Sequence, residues 1–140
     1  MLLKDKIIFL VEDDAVSLSV IRMLLEREGA HVPFDHVGSR TINQLLDILN
    51  VPQLKIDLIL LDLKLLHGIS GYDVLKAIRA LPGLVRTPVV AFTAADPDEE
   101  IPKARAAGFN GYLTKPIDRS HFIQDLGLIL DGEPVWRSIR

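Results

Sequence analysis

Residues 7–14 read Ile-Ile-Phe-Leu-Val-Glu-Asp-Asp, a short and continuous apolar run that stops at three consecutive acids. An apolar run of this length without polar alternation is typical of a strand that is buried on both faces of a parallel sheet. The same pattern returns at residues 56–61 and 89–92. These three runs predict the centre of a parallel β-sheet.

Segments with helical periodicity lie between these runs. Their apolar stripes are Val16, Val20, Ile21, Leu24 and Leu25, then Ile42, Leu45, Leu46 and Leu49, then Val74, Leu75, Ile78 and Leu81, the last opened by Ser70-Gly71. Asp14 fits the N-cap of the first helix and Gly29 its C′ position. Weaker strands are predicted at residues 30–34 and 111–113, and a last helix from the N-cap Asp118 to about Leu130. Five repeats of strand and helix predict an α/β fold with a parallel sheet covered by helices on both faces.

The composition fits a single globular domain. The chain has 140 residues, of which 49% are apolar and 25% charged, the usual balance for a folded domain. We expect the domain to span residues 5–131, followed by a C-terminal tail over residues 132–140. Because there is no cysteine, disulfides, Cys-ligated zinc and thiol catalysis are excluded.

Charge and hydropathy exclude further classes of protein. The formal net charge of −3 gives no global positive excess that would attract nucleic acid or an anionic membrane. No apolar stretch reaches the roughly 20 residues needed to cross a bilayer, and the first residues do not resemble a secretory signal. A cytoplasmic protein is therefore expected.

Reactive side chains follow the predicted strands. Glu12-Asp13-Asp14 comes after the first strand, Asp62 after the third, Thr93 after the fourth and Lys115 after the fifth. Since ligands of such sheets bind at the carboxyl ends of the strands, we expect these groups to meet at one rim. Clustered carboxylates repel each other, and Mg²⁺ relieves that repulsion through its preferred oxygen ligands. An Asp beside a metal, a Lys and a Thr can act as a nucleophile toward phosphorus.

Each residue also fits an ordinary structural role. Asp13 and Asp14 could simply cap the first helix, and Thr93 could form a cap or a turn. Lys115 before a proline could be a surface lysine, and Asp62 could be a turn residue. The convergence of four strand ends on one chemistry favours the functional interpretation.

At these residues the chain resembles the receiver domain of two-component response regulators. The resemblance covers about residues 5–130 and rests on residues 8–14, 58–62, 90–94 and 106–116. It implies a flavodoxin-like (βα)5 fold with strand order 2-1-3-4-5 and a cis bond between Lys115 and Pro116.

The resemblance also implies the roles of the site residues. Asp62 is the expected phosphoacceptor, and Lys115 and Thr93 contact the phosphoryl group. Glu12, Asp13, Asp62 and the backbone carbonyl of Lys64 are the expected Mg²⁺ ligands. Thr93 and Tyr112 are the expected switch residues.

The resulting hypothesis is a phosphorylation-dependent switch that takes a phosphoryl group from a histidine kinase or a phosphotransfer protein and changes its surface for an unknown downstream protein. Such a domain assists its own phosphorylation and dephosphorylation without being a turnover enzyme. No nucleic-acid or membrane partner is expected through this domain, whereas dimerisation through the fourth and fifth helices is common in the family. The alternative is a pseudo-receiver that acts as a phosphorylation-independent interaction module.

Two further hypotheses fit less well. A phosphohydrolase with an Asp nucleophile usually needs a second Asp where this chain has Lys64, and no Gly-rich phosphate loop indicates a nucleotide-binding enzyme. A complete single-domain regulator and a fragment of a hybrid kinase or longer regulator both stay open.

The sequence departs from the family pattern at three places. The loop over residues 64–71 is one residue longer than usual and lacks a proline, and the segment over residues 41–55 is also longer. Lys64 puts a long cation where the family tunes the access of water, so we expect it to alter the lifetime of the phosphorylated state. Pro102 follows a good helix opening at Asp96 by several residues, so the fourth helix is expected to be shifted, kinked or partly unwound.

Overall fold

The computed structural model describes residues 2–36 and 38–136. Its strands are β1 (Ile8–Val11), β2 (Phe34–Asp35), β3 (Leu58–Leu61), β4 (Val89–Thr93), β5 (Gly111–Thr114) and β6 (Val135–Trp136), and its helices are α1 (Ala15–Arg27), α2 (Thr41–Leu49), α3 (Gly71–Arg79), α4 (Pro97–Ala107) and α5 (Arg119–Leu130). All strand pairs are parallel, and the order in the sheet is β2-β1-β3-β4-β5-β6. None of the helices within the described ranges is long and apolar enough to cross a membrane.

The apolar runs form the buried strands that the sequence predicts. Every residue of β1, β3 and β4 is buried. Successive residues of a strand point to opposite faces, so each run contributes to two hydrophobic cores. One core packs β-strand residues such as Phe9 and Ile59 against α2, α3 and α4, and the other packs residues such as Ile8 and Leu58 against α1 and α5. The sheet is therefore covered on both faces, as predicted.

The helix ends follow local side-chain chemistry. Asp14, Asp96 and Asp118 cap α1, α4 and α5 by accepting hydrogen bonds from the backbone N–H two residues on. Ser70 caps α3 in the same way. These short polar side chains satisfy N–H groups that have no partner inside the helix. Because each cap follows a strand on the same rim, the capped helix starts surround the carboxyl ends of the strands.

Two expectations about strands need correction. The sheet has a sixth strand, β6, where the sequence predicts only a tail after residue 131. Residues 137–140 of that tail lie outside the described residues. The second strand is Phe34–Asp35, with one isolated bridge from His31 to Ile7, whereas residues 30–34 were expected. Both strands pair over only two residues, so their position depends on the neighbouring strand more than on their own pattern.

The expectation that Pro102 shifts or partly unwinds the fourth helix is wrong. The helix begins at Pro97 and continues through Pro102 to Ala107. Pro102 removes one intrahelical N–H donor, but Asp96 caps the start and Gly108 adopts the left-handed conformation at the end, with φ 103°. Ala104 is fully buried and packs the helix on the sheet. Capping and tertiary packing therefore outweigh the local cost of the proline.

Candidate functional site

Three carboxylates meet at the rim where β1 and β3 end. Glu12 and Asp13 follow β1, and Asp62 follows β3, whose Leu61 pairs with Val11 of β1. One carboxylate oxygen of each residue lies within 4.8 Å of the others. Glu12 is 0% exposed and Asp62 is 6% exposed. The parallel register thus forces three acids together at a place that is mostly shielded from water.

Lys115 compensates this negative charge. Its Nζ donates a hydrogen bond to Asp62 Oδ2 at 2.9 Å and forms an ion pair with Glu12 Oε2. The ammonium also lies 5.3 Å from the ring centroid of Phe92, which is close enough for a cation–π contact. Lys115 therefore contacts two of the three acids, and sequence reasoning missed its contact with Glu12.

Burial and charge shift the pKa values of these groups in a coupled way. Burial raises the pKa of Glu12, and the neighbouring Asp62 adds to that rise, while Lys115 and the backbone N–H of Asp14 oppose it. Burial alone would lower the pKa of Lys115, but contacts with Glu12 and Asp62 outweigh it and the pKa is raised. Lys115 is therefore a firmly protonated cation at neutral pH.

One backbone contact and one side-chain contact fix the orientation of the Asp62 carboxylate. Its Oδ1 accepts a hydrogen bond from the backbone N–H of Lys64 at 3.1 Å, while Oδ2 accepts from Lys115. Gly71 at the start of α3 lies directly behind Asp62, since a Cβ there would lie 2.7 Å from the Cα of Leu63 and still closer to the Asp62 carbonyl oxygen. Only a residue without a side chain fits that space, which gives a steric reason for the glycine at the end of this loop.

Thr93 and Tyr112 converge on Ala95 in the loop after β4. Thr93 Oγ1 accepts a hydrogen bond from the Ala95 N–H at 3.3 Å, and the Tyr112 hydroxyl donates to the Ala95 carbonyl oxygen at 3.1 Å. Both side chains are buried, Tyr112 completely. Burial raises the pKa of Tyr112 to about 12, with a further contribution from Glu100. The hydroxyl is therefore a neutral donor that ties β5 to the loop at the rim.

The donor set suits a small divalent cation. Mg²⁺ prefers carboxylate oxygens and keeps several waters, which suits a site with access for a phosphate. Glu12, Asp13 and Asp62 supply such oxygens within a short distance of one another. The family resemblance adds the Lys64 carbonyl oxygen as a fourth ligand, and that role stays a prediction.

The fold is a doubly wound parallel α/β fold, a class whose ligand sites lie at the carboxyl ends of the strands, and three acids and a lysine meet at that rim here. The sequence model of the response regulator receiver domain matches residues 8–126. The chain therefore belongs to the response regulator receiver domain family.

Relatives with established names carry this domain within longer proteins. The chain is 36% identical over 129 residues to the sensor histidine kinase AruS of Pseudomonas aeruginosa, a match that covers 91% of the chain and 12% of AruS. It is 32% identical over 123 residues to the transcriptional regulatory protein CpxR of Escherichia coli, covering 88% of the chain and 48% of CpxR. The chain thus spans an eighth to about half of these relatives.

Solved structures give the same fold. The receiver domain of the sensor histidine kinase PA1611 from Pseudomonas aeruginosa, solved with a magnesium ion coordinated in its active-site cleft, superimposes with a TM-score of 0.75. The two are 29% identical, and the match covers 92% of this chain and 99% of that domain. A LuxR-family two-component response regulator from Aurantimonas is similar with a TM-score of 0.79 and 25% identity, over 94% of this chain and 89% of that one.

Proposed function

We propose that this domain accepts a phosphoryl group on Asp62 from the phosphohistidine of a histidine kinase or a phosphotransfer protein. The observation that carries the proposal is the Asp62 carboxylate itself. It is 6% exposed, within 4.8 Å of two further carboxylates and hydrogen bonded to a lysine. Such clustering of buried acids is costly for stability alone, so it favours a functional role.

The proposed reaction is an in-line transfer to oxygen. A carboxylate oxygen of Asp62 forms the new P–O bond while the N–P bond of the donor breaks, and the imidazole leaves with the bonding electron pair. Lys115 stabilises negative charge on the phosphoryl oxygens from the side of Asp62, and Thr93 offers a hydroxyl to another of them. Mg²⁺, held by Glu12, Asp13, Asp62 and the Lys64 carbonyl, would supply positive charge next to the transferred group when bound.

The switch follows from the contacts around Ala95. When Thr93 turns its hydroxyl toward the phosphoryl group, its hydrogen bond with the Ala95 N–H changes, and Ala95 also holds the Tyr112 hydroxyl. A change at Asp62 thus reaches the start of α4 and the buried face of β5. A downstream protein in the cytoplasm then distinguishes the two states of this surface. The surface around α4 and α5 also offers a binding surface for a second copy of the chain.

Intact mass spectrometry after incubation with acetyl phosphate and Mg²⁺ tests the proposal. We expect one added phosphoryl group on the wild type, none on Asp62→Asn, and an unchanged amount on the control Asp73→Asn, which removes an exposed carboxylate from α3. Chelation of Mg²⁺ should suppress the adduct. A wild-type protein without any adduct would instead favour a phosphorylation-independent interaction module.

A further inference from the structure

The C-terminal strand β6 is attached to three elements of the domain. Val135 and Trp136 pair in parallel with Gly111 and Tyr112 of β5. Val135 is 8% exposed and packs in the core on the α5 side. The guanidinium carbon of Arg105 in α4 lies 4.9 Å from the ring centroid of Trp136, a cation–π contact. Two residues thus connect β5, α4 and α5.

The edge of β5 is shaped to receive this strand. A Cβ at Gly111 would lie 2.9 Å from the Val135 carbonyl oxygen and 3.0 Å from Ile129 Cδ1. Real Cβ atoms do not approach a backbone oxygen so closely, so the strand can come this near only because residue 111 is a glycine. The pairing is therefore a fitted contact between two segments.

Trp136 lies beside the buried Tyr112 on the same face of the sheet. Residues directly paired across parallel strands project to the same face, and both Tyr112 and Trp136 pack on the core that contains α4. Trp136 therefore lies on the flank of Tyr112 that would otherwise face the open edge of the sheet. Tyr112 in turn holds the Ala95 carbonyl through its hydroxyl.

The same strand reaches the acidic site. Lys115 follows β5 directly, its backbone N–H donates to the Thr93 carbonyl oxygen at 2.9 Å, and its Nζ contacts Asp62. The strand β5 thus pairs with β6 along its edge and leads directly into Lys115 of the acidic site. A shift of β5 or of Tyr112 would therefore change both the pairing with β6 and the position of Lys115.

We propose that β6 is a docking strand whose attachment is coupled to the state of Asp62. The seated strand holds Tyr112 in its buried position against Ala95. In this coupling Tyr112 keeps that position in the phosphorylated state, while the Thr93 hydroxyl leaves the Ala95 N–H and turns to the phosphoryl group. This inference rests on the proposed function. Because coupling between two sites is reciprocal, a phosphoryl group on Asp62 tightens the attachment of β6, and loss of β6 weakens the binding of a phosphoryl mimic.

Trp136 reports directly on the docking strand, because it is the only tryptophan in the chain. The phosphoryl mimic is beryllium trifluoride, added with Mg²⁺ to the full chain, and its binding is measured independently by fluorine NMR. We expect acrylamide to quench Trp136 less efficiently once the mimic is bound. Equal or stronger quenching with the mimic bound overturns the coupling, whereas the absence of any bound fluorine signal overturns the proposed function and the coupling together.

Variants test the reverse direction. Val135→Lys places a charge at a buried position of β6 and should weaken the binding of the mimic about 5-fold or more, the lower end of typical coupling between sites. Leu128→Lys adds the same charge at an exposed position of α5 and should leave the affinity unchanged. Wild-type affinity in Val135→Lys overturns the proposal.

A second pair of variants tests the same coupling in case Val135→Lys does not fold. Arg105→Ala removes the guanidinium over Trp136 and should increase acrylamide quenching and lower the affinity for the mimic. Lys103→Ala removes an exposed charge from the same helix and should change neither. Equal behaviour of the two alanine variants contradicts the proposal.

Discussion

The two loops that flank the acidic site are built on different principles. The loop between β5 and α5 is short, and polar contacts hold it. Lys115 contacts two carboxylates, the bond from Lys115 to Pro116 is cis as the family resemblance implies, and Asp118 accepts from the Ser120 N–H at 3.0 Å. Charge and capping dominate this loop.

The loop between β3 and α3 is held by backbone pairing and by packing. Lys64 and Ser70 form an antiparallel bridge, and the Leu65 N–H donates to the Ile69 carbonyl oxygen at 3.1 Å. Leu65 is 7% exposed and packs in the core, whereas His67 at the tip adopts the left-handed region with φ 62°. The longer loop thus folds back on itself as a small closed turn that is anchored in the core by Leu65 and by Leu63.

The comparison of the two loops shows which features the site requires and which features can vary. The reacting groups sit at strand ends, whose positions the sheet register fixes. The loops need only leave the rim accessible, and they do so by different means. Substitutions should therefore act through packing in the β3–α3 loop and through charge in the β5–α5 loop.

The largest effect is expected for a buried anchor of the β3–α3 loop. Leu65→Ala removes apolar volume from the core and should lower the free energy of unfolding by about 2–4 kcal/mol. The neighbouring Leu66 is 49% exposed, so Leu66→Ala should change it by less than about 0.5 kcal/mol. Urea denaturation measures both, and equal losses would mean that the loop is not anchored by packing.

A smaller loss is expected where this loop meets α3. Gly71→Ala forces a Cβ against the backbone of Asp62 and Leu63 and should destabilise the domain by about 1–3 kcal/mol, as overpacking does. Gly127→Ala in α5 serves as the control, since the nearest atom to its Cβ would be Leu2 Cδ1 at 4.0 Å. That change should stabilise the helix by up to about 1 kcal/mol. A neutral Gly71→Ala in thermal unfolding would refute the close approach.

Charge should govern the other loop. Lys115→Met leaves Glu12 and Asp62 without their cation. The loss should stay below the roughly 3–5 kcal/mol of a fully buried pair, because the Lys115 side chain is 16% exposed, and we expect about 1–2 kcal/mol. Mg²⁺ should restore part of this stability by binding the carboxylates that have lost their cation. Thermal unfolding in EDTA and in Mg²⁺ tests this, with the exposed Lys64→Met as control; a variant as stable as the wild type in EDTA would contradict the charge argument.

The smallest effect concerns the exposed Lys64. Lys64→Ala removes the long cation beside Asp62 and opens the site to water, so the phosphorylated state should decay faster, by less than about tenfold, which corresponds to roughly 1.4 kcal/mol in the barrier. The measurement is the loss of the phosphoryl adduct with time by intact mass, with Lys76→Ala on α3 as control. Equal decay rates in wild type and Lys64→Ala would exclude a role for this side chain.

Sequence reasoning predicted the parts of the fold that local patterns encode. The continuous apolar runs of β1, β3 and β4 and the caps at Asp14 and Asp118 are confirmed. The convergence of Glu12, Asp13 and Asp62 follows from their positions after parallel strands and is confirmed as geometry. Their roles in phosphoryl transfer and metal binding stay predictions.

What the sequence did not predict depends on contacts between distant segments. The strand β6 pairs over two residues after Pro134, and its position depends on Gly111 some 24 residues earlier along the chain. The continuity of α4 through Pro102 depends on the burial of Ala104 against the sheet. The contact of Lys115 with Glu12 likewise joins two strand ends that are not neighbours in sequence. These contacts join residues that are distant in sequence, so a pattern within one short stretch of the chain does not predict them.

The two edges of the sheet share an arrangement that bears on aggregation. The described edge strands, β2 and β6, each pair over two residues, and an arginine from a neighbouring helix lies over an aromatic ring of each: Arg22 over Phe34 at 5.2 Å and Arg105 over Trp136 at 4.9 Å. Short edge strands and nearby charges discourage the pairing of one sheet with another. The short edge strands and the two arginines, Arg22 and Arg105, should therefore also disfavour pairing of this sheet with the sheet of another molecule.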